Sequence, residues 1–208
     1  MKRYETDGAA IYRRSFAIIR SEADLARFSA EEEPIVVRMI HAAGLVGLEA
    51  GVRFGPGFVA AARARWKQAR PYCATPAWWR GRHPRPSAGP QRGSLHARRS
   101  FRAGSRRKAR RHPFRGRGGA VASPSRGAVI AIGNAPTALF RLLDILAEPG
   151  APRPAAIIGC PVGFVGAAES KDELMAAPPA PALTVLGRLG GSAITVAALN
   201  ALASRSEI

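Results

Sequence analysis

The sequence predicts an α/β protein, with a mostly parallel sheet covered by helices on both faces. Two observations carry this reading. Three short apolar runs in the C-terminal half are each followed by a glycine turn and a helical-period segment. The N-terminal part is patterned as helices. Between these flanks, residues 63–126 show almost no aliphatic periodicity, so the architecture has to come from the flanks. A length of 208 residues allows one domain of normal size or two small ones. A single domain over 1–208 is expected.

In the N-terminal flank, Ile11 to Arg20 places Ile11, Ser15, Ile18 and Ile19 at helical spacing. Ser29 followed by Glu32 is the signature of a capping box at a second helix start. The helix that follows carries Val36, Val37, Ile40 and Leu45 as its apolar stripe, and Gly44 is placed to end it. His41 lies on that stripe, one turn after Val37 and three residues after Arg38. By pattern alone it is either a core histidine satisfied by backbone or a pocket histidine with a cation beside it.

In the C-terminal flank, Ala128 to Ile132 is the first strand, Gly133-Asn134-Ala135 its turn, and Pro136 the first helical position. That helix runs to about Glu148 with Leu139, Leu142, Leu143 and Leu146 on one side. Ala155 to Ile158 is the second strand, and its turn runs from Gly159 to Gly163. A helix starting near Gly166 carries Glu169, Ser170 and Lys171 in its first turns. Leu183 to Leu186 is the third strand, Gly187 to Gly191 its turn, and Ser192 a candidate N-cap for a helix to Ala203. In parallel α/β sheets ligands bind beyond the carboxyl ends of the strands, where all three turns fall. Glycine allows close backbone approach and helix N-termini favour anions. None of the turns is a GxGxxG or P-loop fingerprint, so tight βα turns with no ligand are the competing reading.

The charge sits in the middle. Residues 63–126 hold 19 Lys/Arg and no Asp or Glu, whereas the other 144 residues hold 13 Lys/Arg and 14 Asp/Glu. The formal net charge of +18 therefore belongs to one block. The longest apolar candidate, residues 155–168, is interrupted by Gly159, Pro161, Gly163 and Gly166, and no run reaches the roughly 18 residues of a membrane span. The N-terminus shows no apolar signal core, and Cys73 and Cys160 make neither a disulfide framework nor a metal spacing. A soluble cytoplasmic protein is expected.

The segments AIYRRSFAIIR (10–20), RMIHAAG (38–44), AIGNAPTALF (131–140), PVGFVGAAESKD (161–172) and GRLGGSA (187–193) resemble the precorrin-8X methylmutase family of cobalamin biosynthesis. The likeness covers about residues 4–62 and 127–203, in order. It implies a flavodoxin-like fold, a homodimer with the site near the subunit interface, and no metal or cofactor. The implied reaction moves a methyl group from C11 to C12 of precorrin-8X and gives hydrogenobyrinate. The family's catalytic histidine matches His41, and its substrate-contacting serine and arginine match Ser15 and Arg38. The substrate is a flexible macrocycle bearing many carboxylates, so fixed cations and backbone N–H groups suit it. Gly133, Asn134, Gly163, Gly166, Lys171 and Arg188 are the candidate contacts. The shift asks for proton placement on a ring nitrogen, which a histidine can supply.

The basic block departs from the family, and back-translation accounts for the departure. Codons for Arg65 to Arg80, reread from each third base, permit Leu-Glu-Ala-Gly-Ala-Pro-Val-Leu-Cys-Asp-Ala-Arg-Met-Val-Ala. From Gly81 onward a second-base start gives family-like segments, and near Gly127 the written frame is correct again. Three successive single-base losses produce this order. As written, the block is expected to be irregular or disordered. The alternative reading is a nucleic-acid-binding protein, because Trp66, Trp78, Trp79, His83, His96, Phe101 and Phe114 are interleaved with arginine. No zinc-finger, helix-turn-helix or RNP pattern accompanies them, so no specific nucleic-acid partner is expected.

Overall fold

The computed structural model describes residues 4–66, 71–73 and 126–204. The expectation of an irregular or disordered block at 63–126 fails where the block is described, because 63–66 complete a helix and Pro71–Cys73 form a strand paired with Val129–Ala131; the rest of the block up to 125, with the aromatic residues from Trp78 to Phe114, lies outside the described residues. The order of elements is α1 (Gly8–Glu22), α2 (Glu33–Ala43), a 3-10 turn (Leu48–Gly51), β1 (Val52–Phe54), α3 (Phe58–Trp66) and β2 (Pro71–Cys73). After the block come β3 (Val129–Ile132), α4 (Pro136–Ala147), β4 (Ala156–Gly159), α5 (Ala167–Ala176), β5 (Ala182–Val185) and α6 (Ser192–Ala203).

The five strands form one sheet in the order β1-β5-β4-β3-β2. Neighbours from β2 to β5 are parallel, and β1 lies antiparallel on β5 at the edge. Strands β3, β4 and β5 are buried on both faces, which is why they read as continuous apolar runs. Alternate side chains then feed two cores. Val129, Ala131, Ile158, Leu183 and Val185 pack with α2, α3 and α6, and with Phe16 and Ile19 of α1. Ile130, Ile132 and Ile157 pack with Leu139, Leu142, Leu143 and Leu146 of α4 and Leu174 of α5. The mostly parallel sheet with helices on both faces is therefore observed.

The N-terminal helices differ in detail from their sequence reading. On α1 the buried residues are Phe16 and Ile19, while Ile11 and Ile18 are exposed. This helix packs against α2 on one side, so only a narrow stripe is covered. Helix α2 lies between α1 and α6, and Ile35, Val36, Val37, Met39 and Ile40 are all buried. Leu45 is not on that stripe. Gly44 takes the left-handed conformation at φ 62° and ends the helix before it, leaving Leu45 exposed. The capping box is half formed. The Glu32 carboxylate accepts from the Ser29 N–H at 3.0 Å, but the Ser29 hydroxyl also donates to that carboxylate instead of accepting a helix N–H. At α6, Ser192 is the first helical residue and Gly191 occupies the N-cap position, with no side-chain cap.

Candidate active site

Parallel strands put their carboxyl ends on one edge of the sheet, and the three glycine turns meet there. The Cys160 N–H donates to the Ile132 carbonyl at 2.8 Å, and the Gly191 N–H donates to the Cys160 carbonyl at 2.9 Å. Val162 N–H reaches the Asn134 carbonyl at 3.4 Å, and Gly163 N–H reaches the Arg188 carbonyl at 3.3 Å. The turn after β4 is thus tied to both neighbours. Glycine is needed where the backbones cross. A Cβ on Gly133 would run into the Thr195 hydroxyl and lie 2.8 Å from the Thr195 Cβ and 3.0 Å from the Gly191 carbonyl oxygen. A Cβ on Gly190 would collide with the Cys160 and Pro161 carbonyl oxygens.

Lys171, in the first turns of α5, is fully buried. Its Nζ donates to the Pro161 carbonyl at 3.0 Å and to the Leu189 carbonyl at 2.7 Å. Burial pulls its pKa below the usual lysine value, and Cys160 and Asp172 partly oppose that. The neighbouring Cys160 thiol is also buried, which pushes its pKa up to about 12. A thiol so protonated is no nucleophile.

Asn134 and Arg188 stand exposed on this edge, and Gly163 and Gly166 are half-buried within the loop between β4 and α5. Gly166 has φ 77° and forms the N-cap position of α5. Around these polar groups, Val162, Phe164, Val165 and Leu189 expose apolar surface. The Arg188 guanidinium lies 5.2 Å from the Phe164 ring centroid, a cation held over an aromatic face.

His41 belongs to the N-terminal helices. It lies in the last turn of α2, and Gly44 and Gly47 bring the chain back toward the sheet. The Leu186 N–H donates to the Gly51 carbonyl at 2.8 Å, and Val52 pairs with Val185, the last residue of β5. The guanidinium of Arg27 donates to the Glu49 and Val52 carbonyls and holds this return. The chain that leaves α2 therefore enters β1 beside the carboxyl end of β5. His41 is half-buried, with its ring 4.9 Å from the Tyr12 ring and edge-on to Phe16 at 5.3 Å. Ser15 is half-buried on α1, one turn after Tyr12, and Arg38 is half-buried one turn before His41. Tyr12 and Phe16 were not singled out from sequence, although their i, i+4 spacing around Ser15 marks a helix side. Nor was Phe164, which reads in sequence as one more apolar loop residue.

The matches to known proteins cover this whole scaffold. The model of the family described as precorrin-8X methylmutase matches residues 10–74 and 114–205. The chain belongs to the precorrin-8X methylmutase family. A precorrin-8X methylmutase from a Sinorhizobium species is 46% identical over 219 residues, covering 96% of each chain. One from Pseudomonas aeruginosa is 43% identical, covering 98% of this chain and 99% of its own. The crystal structure of a precorrin-8X methylmutase from Thermus thermophilus is 31% identical with a TM-score of 0.70, covering 93% of this chain and 96% of that one. The family match breaks over 75–113, inside the basic block, and all nine site residues predicted from sequence lie within the matched segments.

Proposed function

We infer that this chain is a precorrin-8X methylmutase, an isomerase of cobalamin biosynthesis. One observation carries the assignment: the likeness to proteins of that name runs over nearly the full length of both chains. The reaction moves a methyl group from C11 to C12 of precorrin-8X and gives hydrogenobyrinate. It is intramolecular, so substrate and product share one composition and no oxidant or reductant is consumed.

The geometry supports roles for the site residues. His41 is the proton-placing group, supplying a proton to a ring nitrogen as the methyl migrates. Tyr12 and Phe16 fix its ring by contact. Ser15 and Arg38 flank it on α1 and α2 and hold substrate polar groups. The rim at the three turns combines exposed apolar side chains with Asn134 and Arg188. Such a rim suits a flat macrocycle with peripheral carboxylates. Gly133, Gly163 and Gly166 shape the turns that carry it. The reaction calls for no metal or cofactor.

A homodimer fits the exposed apolar residues Ile11 and Ile18 on α1 and Leu45 and Val46 after α2. No helix among the described residues is long and apolar enough to cross a membrane, and a cytoplasmic location accords with a biosynthetic role. All the aromatic residues of the competing nucleic-acid reading except Trp66 lie outside the described ones, and none of the named relatives carries that reading. The basic block is best read as wrong-frame sequence within one domain.

The test uses two substitutions in the frame-corrected protein. His41→Phe keeps an aromatic ring against Tyr12 and Phe16 but removes the proton. His41→Ala removes both. Loss of a general acid costs about 10² to 10⁴ in rate. Both variants are expected to lose turnover of precorrin-8X by that order while still binding hydrogenobyrinate. Near-normal turnover by His41→Phe returns His41 to the role of a packing residue.

A further inference from the structure

We propose that Lys171 is a positioning residue for substrate carboxylates, holding the β4–α5 and β5–α6 turns together so that Arg188 and the Gly190 N–H are presented as one unit. This rests on the methylmutase reading of the site. Lys171 has no exposed surface, so its ammonium does not face the macrocycle. Two of its three donors are spent on carbonyls from two different turns, Pro161 and Leu189.

The peptide plane links this buried cation to the rim. A trans peptide points its C=O and its N–H in opposite directions. With the Leu189 carbonyl turned inward onto Nζ, the following N–H, that of Gly190, points away from Lys171. Arg188 is the residue before Leu189 and is exposed on the same turn. The turn cannot slide, because Gly191 N–H and Gly163 N–H stitch it to the β4 turn and Gly190 is packed against the Cys160 and Pro161 carbonyls. A mobile surface cation gives loose attraction, whereas a carboxylate held for reaction needs donors at fixed positions. Lys171 supplies that fixity from beneath.

The experiment compares the full chain, frame-corrected, with its Lys171→Met, Arg188→Ala and double variants. Amide hydrogen exchange without ligand is the first readout. Lys171→Met is expected to speed exchange in both segments, 159–166 and 187–191, while β3 is unchanged. Unchanged exchange in the turns overturns the proposal whatever the activity. Affinity for hydrogenobyrinate is the second. Each single variant is expected to weaken it about tenfold or more, and the double variant little further, because both act through one unit. Independent, additive losses overturn the positioning role and point to direct contact. A frame-corrected chain that binds no hydrogenobyrinate refutes the methylmutase reading, and the exchange result still decides the clamp. Should Lys171→Met not fold, Lys171→Gln, which keeps a donor, takes its place with the same expected direction.

Discussion

Gly133→Ala tests whether the packing of turns at the sheet edge is as tight as the geometry states. Gly133 is not among the residues with positive φ, so alanine suffers no backbone penalty there. Relief of chain entropy alone would stabilise the variant by about 0.4–1 kcal/mol. Against that, the new Cβ would lie 2.8 Å from the Thr195 Cβ and 3.0 Å from the Gly191 carbonyl oxygen. Ordinary carbon contacts lie at about 3.5–4.0 Å. Thr195 cannot turn away freely, because its hydroxyl donates to the Gly191 carbonyl at 2.9 Å at the start of α6. Overpacking of this kind costs about 1–3 kcal/mol. With the Thr195 hydroxyl also in the way, the upper part of that range applies, and about 2–3 kcal/mol less the entropic gain leaves a net loss of about 1–2.6 kcal/mol. At roughly 2–4 °C per kcal/mol for a chain of this size, the midpoint should fall by about 2–10 °C. The assay is denaturant and thermal unfolding of Gly133→Ala, Thr195→Gly and the pair. Removing the Thr195 side chain makes room, so the double variant should lose less than the sum of the singles by about 1 kcal/mol or more. A Gly133→Ala protein as stable as the parent, or additive losses within about 0.5 kcal/mol, refutes the close approach.

Three further outcomes are expected. In a Cys73→Ser background, Cys160 should resist iodoacetamide in the native state and react only on unfolding, because it is fully buried. Its thiol is held up to about 12 from 9.0, so between those values the unfolded chain has lost a proton that the native state keeps. Stability should fall across pH 9 to 12, and Cys160→Ala should remove that part of the slope in urea titrations. Inserting single bases near the codons for Arg65, Arg80 and Arg126 should raise soluble yield and turnover above those of the written chain. Equal yield and activity before and after insertion reject the wrong-frame account.

Much of the fold was legible because strand and helix periods differ. The runs at 128–132, 155–158 and 183–186 fall within a residue of β3, β4 and β5, and Pro136 marks the start of α4 as its missing N–H requires. Glycine at every βα turn placed three loops on one edge, a consequence of parallel strands alone. Packing was less legible. The apolar residues of α1 could not show which of them meet a partner, since Ile18 and Ile19 are equally apolar and only Ile19 faces α2. The Ser29 hydroxyl could be expected to cap a helix, but its choice of the Glu32 carboxylate depends on local geometry.

The sequence by itself determined the class of fold, the family and the positions of the chemical groups, because these are written in local patterns and long motifs. Only the tertiary structure decided how the groups work together. It turned Lys171 inward onto two carbonyls, placed the His41 ring against Tyr12 and Phe16, and set Arg188 over Phe164. Each of these joins residues on different turns or helices. A side chain's direction is set by the elements that pack around it, and no short-range pattern encodes which elements those are.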